Sequence, residues 1–133
     1  MKKLITILGI LFSSSLLWQS CTAEDDLLDD GDIRESYVGE WVVNDQCSKQ
    51  TYRVELSIDG NNSSQVIIEN YANLGLDAKA VIGGTSIYVE SQDIGNGYTV
   101  NGNGKLTGTI ISWTTYNYQT SAELVECTAT FSK

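Results

Sequence analysis

Thr51-Tyr52-Arg53-Val54-Glu55-Leu56-Ser57-Ile58-Asp59 is the stretch that decides the fold. Tyr52, Val54, Leu56 and Ile58 fall on one side of an extended chain, and Arg53, Glu55, Ser57 and Asp59 fall on the other. Successive side chains of a strand point to opposite sides of the pleat, so this alternation predicts a strand with one dry and one wet face. Asp59-Gly60-Asn61-Asn62 follows, residues that tolerate left-handed backbone and predict a tight hairpin. Gln65 to Tyr71 then returns with Val66 and Ile68 inward and Glu69 outward.

The same period continues on both sides. Upstream, Tyr37 to Val43 reads as a strand. Downstream, Asp77 to Ile82 turns at Gly83-Gly84 into Thr85 to Ser91, with Ala78, Ala80, Ile82, Ile87 and Val89 inward. Gly95-Asn96-Gly97 turns the chain into Tyr98 to Gly104, whose Gly102 and Gly104 mark a bend or a close backbone approach. Thr107 to Thr115 places Ile111 and Trp113 on one face, and Glu123 to Phe131 does the same for Val125, Cys127, Ala129 and Phe131. No proline interrupts any of these segments, and helical spacing is absent. Eight short strands predict an all-β fold, a small eight-stranded antiparallel up-and-down barrel, because closure removes the adhesive sheet edges. A two-sheet β-sandwich is the alternative.

The N-terminus has a different character. Lys2 and Lys3 precede the mostly apolar run Leu4 to Leu17, and Ser20 stands before Cys21. That pattern predicts a secretion leader over residues 1–20. The segment resembles the lipoprotein signal family, which implies cleavage before Cys21 and a lipid anchor on it. Two or three acyl chains hold a protein on a membrane far more firmly than one. Residues 21–36 follow as a tether rich in acids: Glu24, Asp25, Asp26, Asp29, Asp30, Asp32 and Glu35 stand against Arg34 alone. Like charges extend such a linker. A calcium loop is excluded by spacing, since with Gly31 at the sixth position Leu28 and Tyr37 occupy ligand places. An acidic patch after the lipidated cysteine also resembles the surface-export signal of lipoproteins of the Bacteroidetes group. It implies an outer-membrane, lipid-anchored protein facing the cell surface, with the periplasmic face as the alternative.

Residues 37–133 are left for one domain with one core. Loss of the leader takes the formal charge from −9 to −11, and Lys49, Arg53, Lys79, Lys105 and Lys133 are scattered singly. Nucleic acid needs clustered cations and is excluded as a partner. Gly39-Glu40-Trp41 resembles the opening motif of lipocalins and their calycin relatives. Ile68-Glu69-Asn70-Tyr71, Val100-Asn101-Gly102-Asn103-Gly104 and Cys127-Thr128-Ala129-Thr130-Phe131 extend the likeness to a family of small lipocalin-like lipoproteins of unsettled function.

With Cys21 set aside, Cys47 and Cys127 make an even pair in an exported, oxidising setting, which predicts a disulfide. Counting by twos from Trp41 and back from Phe131 turns both thiols inward, on the first and last strands, where a bridge locks the seam of a barrel. The chain has no histidine, which removes the commonest general base and metal ligand. Most acids fall on wet faces, the exception being Asp45, which counts inward at a strand end. The expectation is therefore no enzyme, no catalytic residue, no cofactor and no metal. Binding remains. Trp41, Tyr52, Trp113 and Phe131 line the interior, where they either fill it or leave a slot for a small apolar ligand. Tyr116 and Tyr118 lie beyond the apolar alternation on an expected loop, placed to hold a glycan or a protein partner. The resulting reading is a monomeric, surface-anchored binding or interaction module. The alternative is an inhibitor of a secreted hydrolase such as lysozyme, whose lipid-anchored inhibitors it resembles in size, barrel and single disulfide.

Overall fold

The computed structural model describes residues 32–133. Nine strands form one antiparallel sheet: β1 Gly39–Asp45, β2 Thr51–Ile58, β3 Gln65–Glu69, β4 Ala78–Gly83, β5 Ser86–Gly95, β6 Tyr98–Thr107, β7 Ile110–Gln119, β8 Leu124–Val125 and β9 Ala129–Ser132. Consecutive strands pair from β1 to β7, and β9 lies between β7 and β1, so the sheet closes on itself. β8 and β9 both lie on the side of β7 away from β6 and act as one interrupted strand. The result is a closed eight-stranded antiparallel barrel, which excludes the sandwich. First and last strands meet at the seam, with Val43 opposite Phe131 and Asp45 opposite Ala129.

Alternation in β2 places Tyr52, Val54 and Leu56 inside and Arg53 and Glu55 outside. The segment after it is not the expected tight hairpin, because Gly60, Asn61 and Asn62 all lack the left-handed backbone it requires. Side chains hold a wider loop instead: Asp59 Oδ1 accepts from the Asn61 N–H at 2.9 Å, and Asn62 Oδ1 from the Ser64 N–H at 3.0 Å. Arg34 completes it. Its guanidinium donates to the carbonyls of Asp59, Asn62 and Gln65 at 3.2, 2.8 and 2.9 Å. Arg34 is carried by a 3-10 turn, Ile33–Ser36, which belongs to the same compact unit as the barrel, Ile33–Lys133.

Three bulges interrupt the register of the longer strands. Two lie in β5, between Val89 and Gln92 and between Asp93 and Gly95, and one lies at Thr114 in β7, where Asn103 pairs with Thr115 but Gly104 pairs with Trp113. An extra residue on one strand shifts the parity of everything after it. Ile111 and Trp113 face in, Thr114 and Thr115 both face out, and Tyr116 faces in again. β7 thus runs on to Gln119, and Tyr116 and Tyr118 are strand residues.

Aromatic rings stack through the interior. Trp113 lies 5.2 Å from Phe131 and 5.4 Å from Tyr116 between ring centroids, Tyr116 lies 4.4 Å from Tyr71, and Trp41 lies 6.5 Å from Phe131. Room for the indole comes from β6. A Cβ on Gly104 would stand 2.9 Å from Trp113 Cδ2, and one on Gly102 would stand 3.1 Å from Trp113 Cζ3. Glycine is the only residue that leaves this space at both positions. Gly104→Ala is expected to cost about 1–3 kcal/mol by overpacking, read from urea unfolding, with much of the loss recovered in a Gly104→Ala, Trp113→Leu double variant.

Candidate functional site

Trp41, Tyr52, Trp113 and Phe131 are all in the core, and none is more than 9% exposed. Their rings occupy the space that the sequence offered to an apolar ligand. One end is closed around Trp41: its Nε1 donates to the Tyr37 carbonyl at 2.8 Å, and Lys133 Nζ sits 4.6 Å above its ring while donating to the Val38 carbonyl.

The opposite end is closed by Tyr71 and by the segment after it. Asn70, Ala72, Asn73 and Gly75 all take left-handed backbone, which folds residues 70–77 back across the barrel. Asn70 Oδ1 accepts from the Gly75 N–H, and the Tyr71 hydroxyl donates to the Asn101 carbonyl at 2.9 Å. The Ala72 N–H donates to the Tyr116 hydroxyl at 2.8 Å, and this bond helps hold a non-glycine residue in a strained region. Tyr116 is therefore not a loop residue that greets a partner; it is fully buried and ties this plug to β7. Tyr118 is half-buried and packs edge-on against Tyr98 at 6.2 Å.

Beneath the plug lies Asp45, 1% exposed. Its carboxylate accepts from the Cys47 N–H at 2.8 Å and from the Tyr52 hydroxyl at 3.0 Å, as a buried charge requires. Desolvation first, then neighbouring hydroxyls and the Asp45 charge, push the Tyr52 and Tyr71 phenols well above the ordinary range, and desolvation raises Tyr116 as well. Burial at the other end pushes Tyr37 up to about 12. Folded pKa values above the unfolded value mean that this stability is complete below the unfolded tyrosine pKa of about 10 and falls as pH rises above it. Each buried phenol then contributes a loss of about 1.4 kcal/mol per pH unit. Alkaline titration is expected to show buried-tyrosine ionisation at 295 nm coinciding with loss of near-ultraviolet circular dichroism, and not preceding it.

Cys47 and Cys127 are joined, with Cα atoms 5.5 Å apart and a sequence separation of 80. The bridge is where the sequence placed it, but Cys47 does not face inward. β1 ends at Asp45, the chain turns, and Cys47 is exposed while Cys127 stays buried. Cys127 sits in the interruption between β8 and β9. There its N–H bonds to Asn117 Oδ1 at 3.0 Å, and its carbonyl accepts from the Tyr116 N–H. Asp45, Cys47 and Cys127 bring three ligand-type atoms within 4.8 Å of one another, but two of them are the bonded sulfurs. The cluster is a disulfide over a carboxylate and offers no thiolate.

Outside this bridge the wall is indented. A hollow of about 410 Å³ opens to solvent between Gln46, Thr114, Thr115, Asn117, Glu126, Thr128 and the two cysteines. Its lining residues carry hydroxyls, amides and the disulfide sulfurs, with one carboxylate and no cation. The strand interruption and the Thr114 bulge create it, and neither is visible in the alternation of apolar residues. Cys21, the expected lipid anchor, lies outside the described residues. No family model matches this chain, and no curated protein and no solved structure matches it. Fold and site define a class, a small closed antiparallel barrel with a filled interior and a polar hollow on its wall. Replacing both Cys47 and Cys127 by serine is expected to lower stability by roughly 4 kcal/mol from loop entropy, measured by urea unfolding, and to broaden the amide resonances of Gln46 and Thr128 first.

Proposed function

We propose that this protein is a lipid-anchored, non-enzymatic binding module exposed on the outer surface of a cell. Its contact site is the hollow beside the disulfide. One observation carries the placement of the site: interlocked rings occupy the interior, whereas a concave surface is formed on the wall. Pockets that bind small molecules are concave, with a few polar groups that fix orientation. Here the polar groups are held in place, since Asn117 is bonded to both Asn101 and Cys127 and Thr114 Oγ1 donates to the Asn103 carbonyl at 3.2 Å. Groups already fixed lose little entropy when they bind.

The absence of histidine and the ordinary wet setting of most acids support a binding role over catalysis. Anchoring rests on the leader, on Cys21 and on the acidic tether. The described chain enters the barrel at the Trp41 end, through Ile33–Ser36, and the hollow lies at the far end of β1 beyond Asp45.

Two measurements test the reading. Cys21→Ser is expected to abolish labelling by radioactive palmitate and to move the protein from the membrane fraction to the soluble fraction. Amide-resonance mapping with a set of small sugars, amines and amino acids is expected to shift Gln46, Thr115 and Thr128. Shifts centred on the Trp41 and Trp113 indoles with a medium-chain fatty acid would instead establish an interior site and overturn the assignment.

A further inference from the structure

The hollow does not stand alone on the outer wall. Strand register places Tyr88 of β5 opposite Asn103 of β6, and Asn103 opposite Thr115 of β7. Beyond β7 the rung continues: Trp113 pairs with Ala129, so Thr114 stands beside Thr128, and the Gln46 N–H donates to the Thr128 carbonyl. Inward neighbours Ile87, Val89, Gly102, Gly104, Trp113, Tyr116 and Ala129 are buried, which turns this whole rung outward. A single band of uncharged polar side chains therefore leads from an exposed ring to the hollow. Tyr88 is 46% exposed, among the most exposed large apolar residues of the described chain.

Each feature of the band has a consequence for what it can hold. Tyr88 presents an amphipathic ring with little conformational entropy to lose, suited to stacking on an apolar ring face. The side-chain amide of Asn103 bonds to no other described residue, so both its donor and its acceptor are free for a ligand. The bulge turns Thr114 and Thr115 outward together, opposite one residue of β6; the Thr114 hydroxyl donates to the Asn103 carbonyl, and the Thr115 hydroxyl bonds to no other described residue. Adjacent strands lie about 4.8 Å apart, so Tyr88 stands about 10 Å from the hollow's edge, a few sugar rings of an extended chain. The charges bordering the band are Glu90, next on the outer face of β5, and Glu126 in the hollow, with Lys105 one rung away. Two carboxylates border the band against one lysine, so the local charge does not favour an anionic ligand.

We infer that the band from Tyr88 to the hollow binds a neutral, linear oligosaccharide. Its terminal sugar sits in the hollow among Thr115, Asn117, Thr128 and Gln46, and a following ring passes Asn103 to stack on Tyr88. Hydroxyl and amide groups match a polyol, and the exposed phenol matches the C–H face of a pyranose. This inference rests on the assignment of the hollow as the contact site, and it adds the ligand class and the second contact.

The test uses the 15N-labelled full-length mature protein and linear neutral tetrasaccharides of glucose, xylose and mannose, each at roughly 5 mM, above the ~1 mM dissociation constant of weak specific binding. At least one is expected to shift the amides of Asn103, Thr115 and Thr128 together with the Tyr88 ring protons. Tyr88→Ala, on the exposed face, is expected to weaken that ligand about tenfold while leaving the core spectrum unchanged. Thr115→Val, which keeps the shape and removes the hydroxyl, is expected to weaken it as well. A tetrasaccharide of galacturonic acid is expected to give no shift. If small molecules shift the hollow but no neutral tetrasaccharide reaches Tyr88, the oligosaccharide is overturned and the hollow stands. Shifts confined to Tyr98 and Tyr118 would overturn both. Equal binding by the Tyr88→Ala variant would overturn the stacking contact.

Discussion

The Trp113 indole needs space that only glycine leaves, and the rest of the barrel is arranged around that fit. An eight-stranded barrel is just wide enough for side chains to fill. With Gly102 and Gly104 beneath the ring, Trp113 lies across the bore and meets Phe131 from the last strand and Tyr116 from its own. Phe131 in turn reaches Trp41 of β1, so one chain of rings crosses the seam where the sheet closes. Burial of each such ring contributes a few kcal/mol. Closure and filling are thus one event: the strands that must pair to complete the barrel are those whose rings touch.

Much of this was legible in residues 51–59 and their neighbours. A period of two, glycine turns and an absence of proline specify strand number, direction and the meeting of first and last strands, because each depends on local chemistry. The bulges were not legible. Thr114 looks like any polar residue in a threonine-rich strand, yet it alone moves Tyr116 from an expected loop to the core. Counting by twos fails beyond such a point, and it failed for Cys47 for a related reason, since β1 stops at Asp45 and a turn has no faces. Arg34 was hidden differently. Within an acidic stretch it reads as a stray charge, and only the carbonyls of a distant loop reveal that it caps the β2–β3 connection.

Asp45 explains why the disulfide, the plug and the hollow converge on one end. A carboxylate inside a barrel must find donors, and here it accepts from the Cys47 backbone, from Tyr52 and, at 3.4 Å, from the Ser48 backbone. The first of these bonds shapes the turn that brings Cys47 over the seam. The bridge to Cys127 then holds the last strand where it would otherwise run straight, and β8 and β9 separate around it. Tyr116, directly opposite this interruption, carries the plug through its bond to Ala72. Without the interruption the wall would be flat and the hollow would not form.

A barrel that spends its interior on packing leaves recognition to its outer wall, and the wall is not uniform. Several outward positions on β1 to β4 carry charges, among them Glu40, Arg53, Glu55, Glu69 and Lys79. Such charges keep a small protein soluble and are held in place by little. The rung through Tyr88, Asn103, Thr114, Thr115 and Thr128 is different in kind, because it carries no charge and lies next to bulges and a disulfide that stiffen the backbone. Solubility alone does not call for an exposed phenol and two outward-turned threonines beside a rigid depression. Rigid backbone under uncharged donors and acceptors is the arrangement that binding requires, since fixed groups meet a ligand with little ordering left to do.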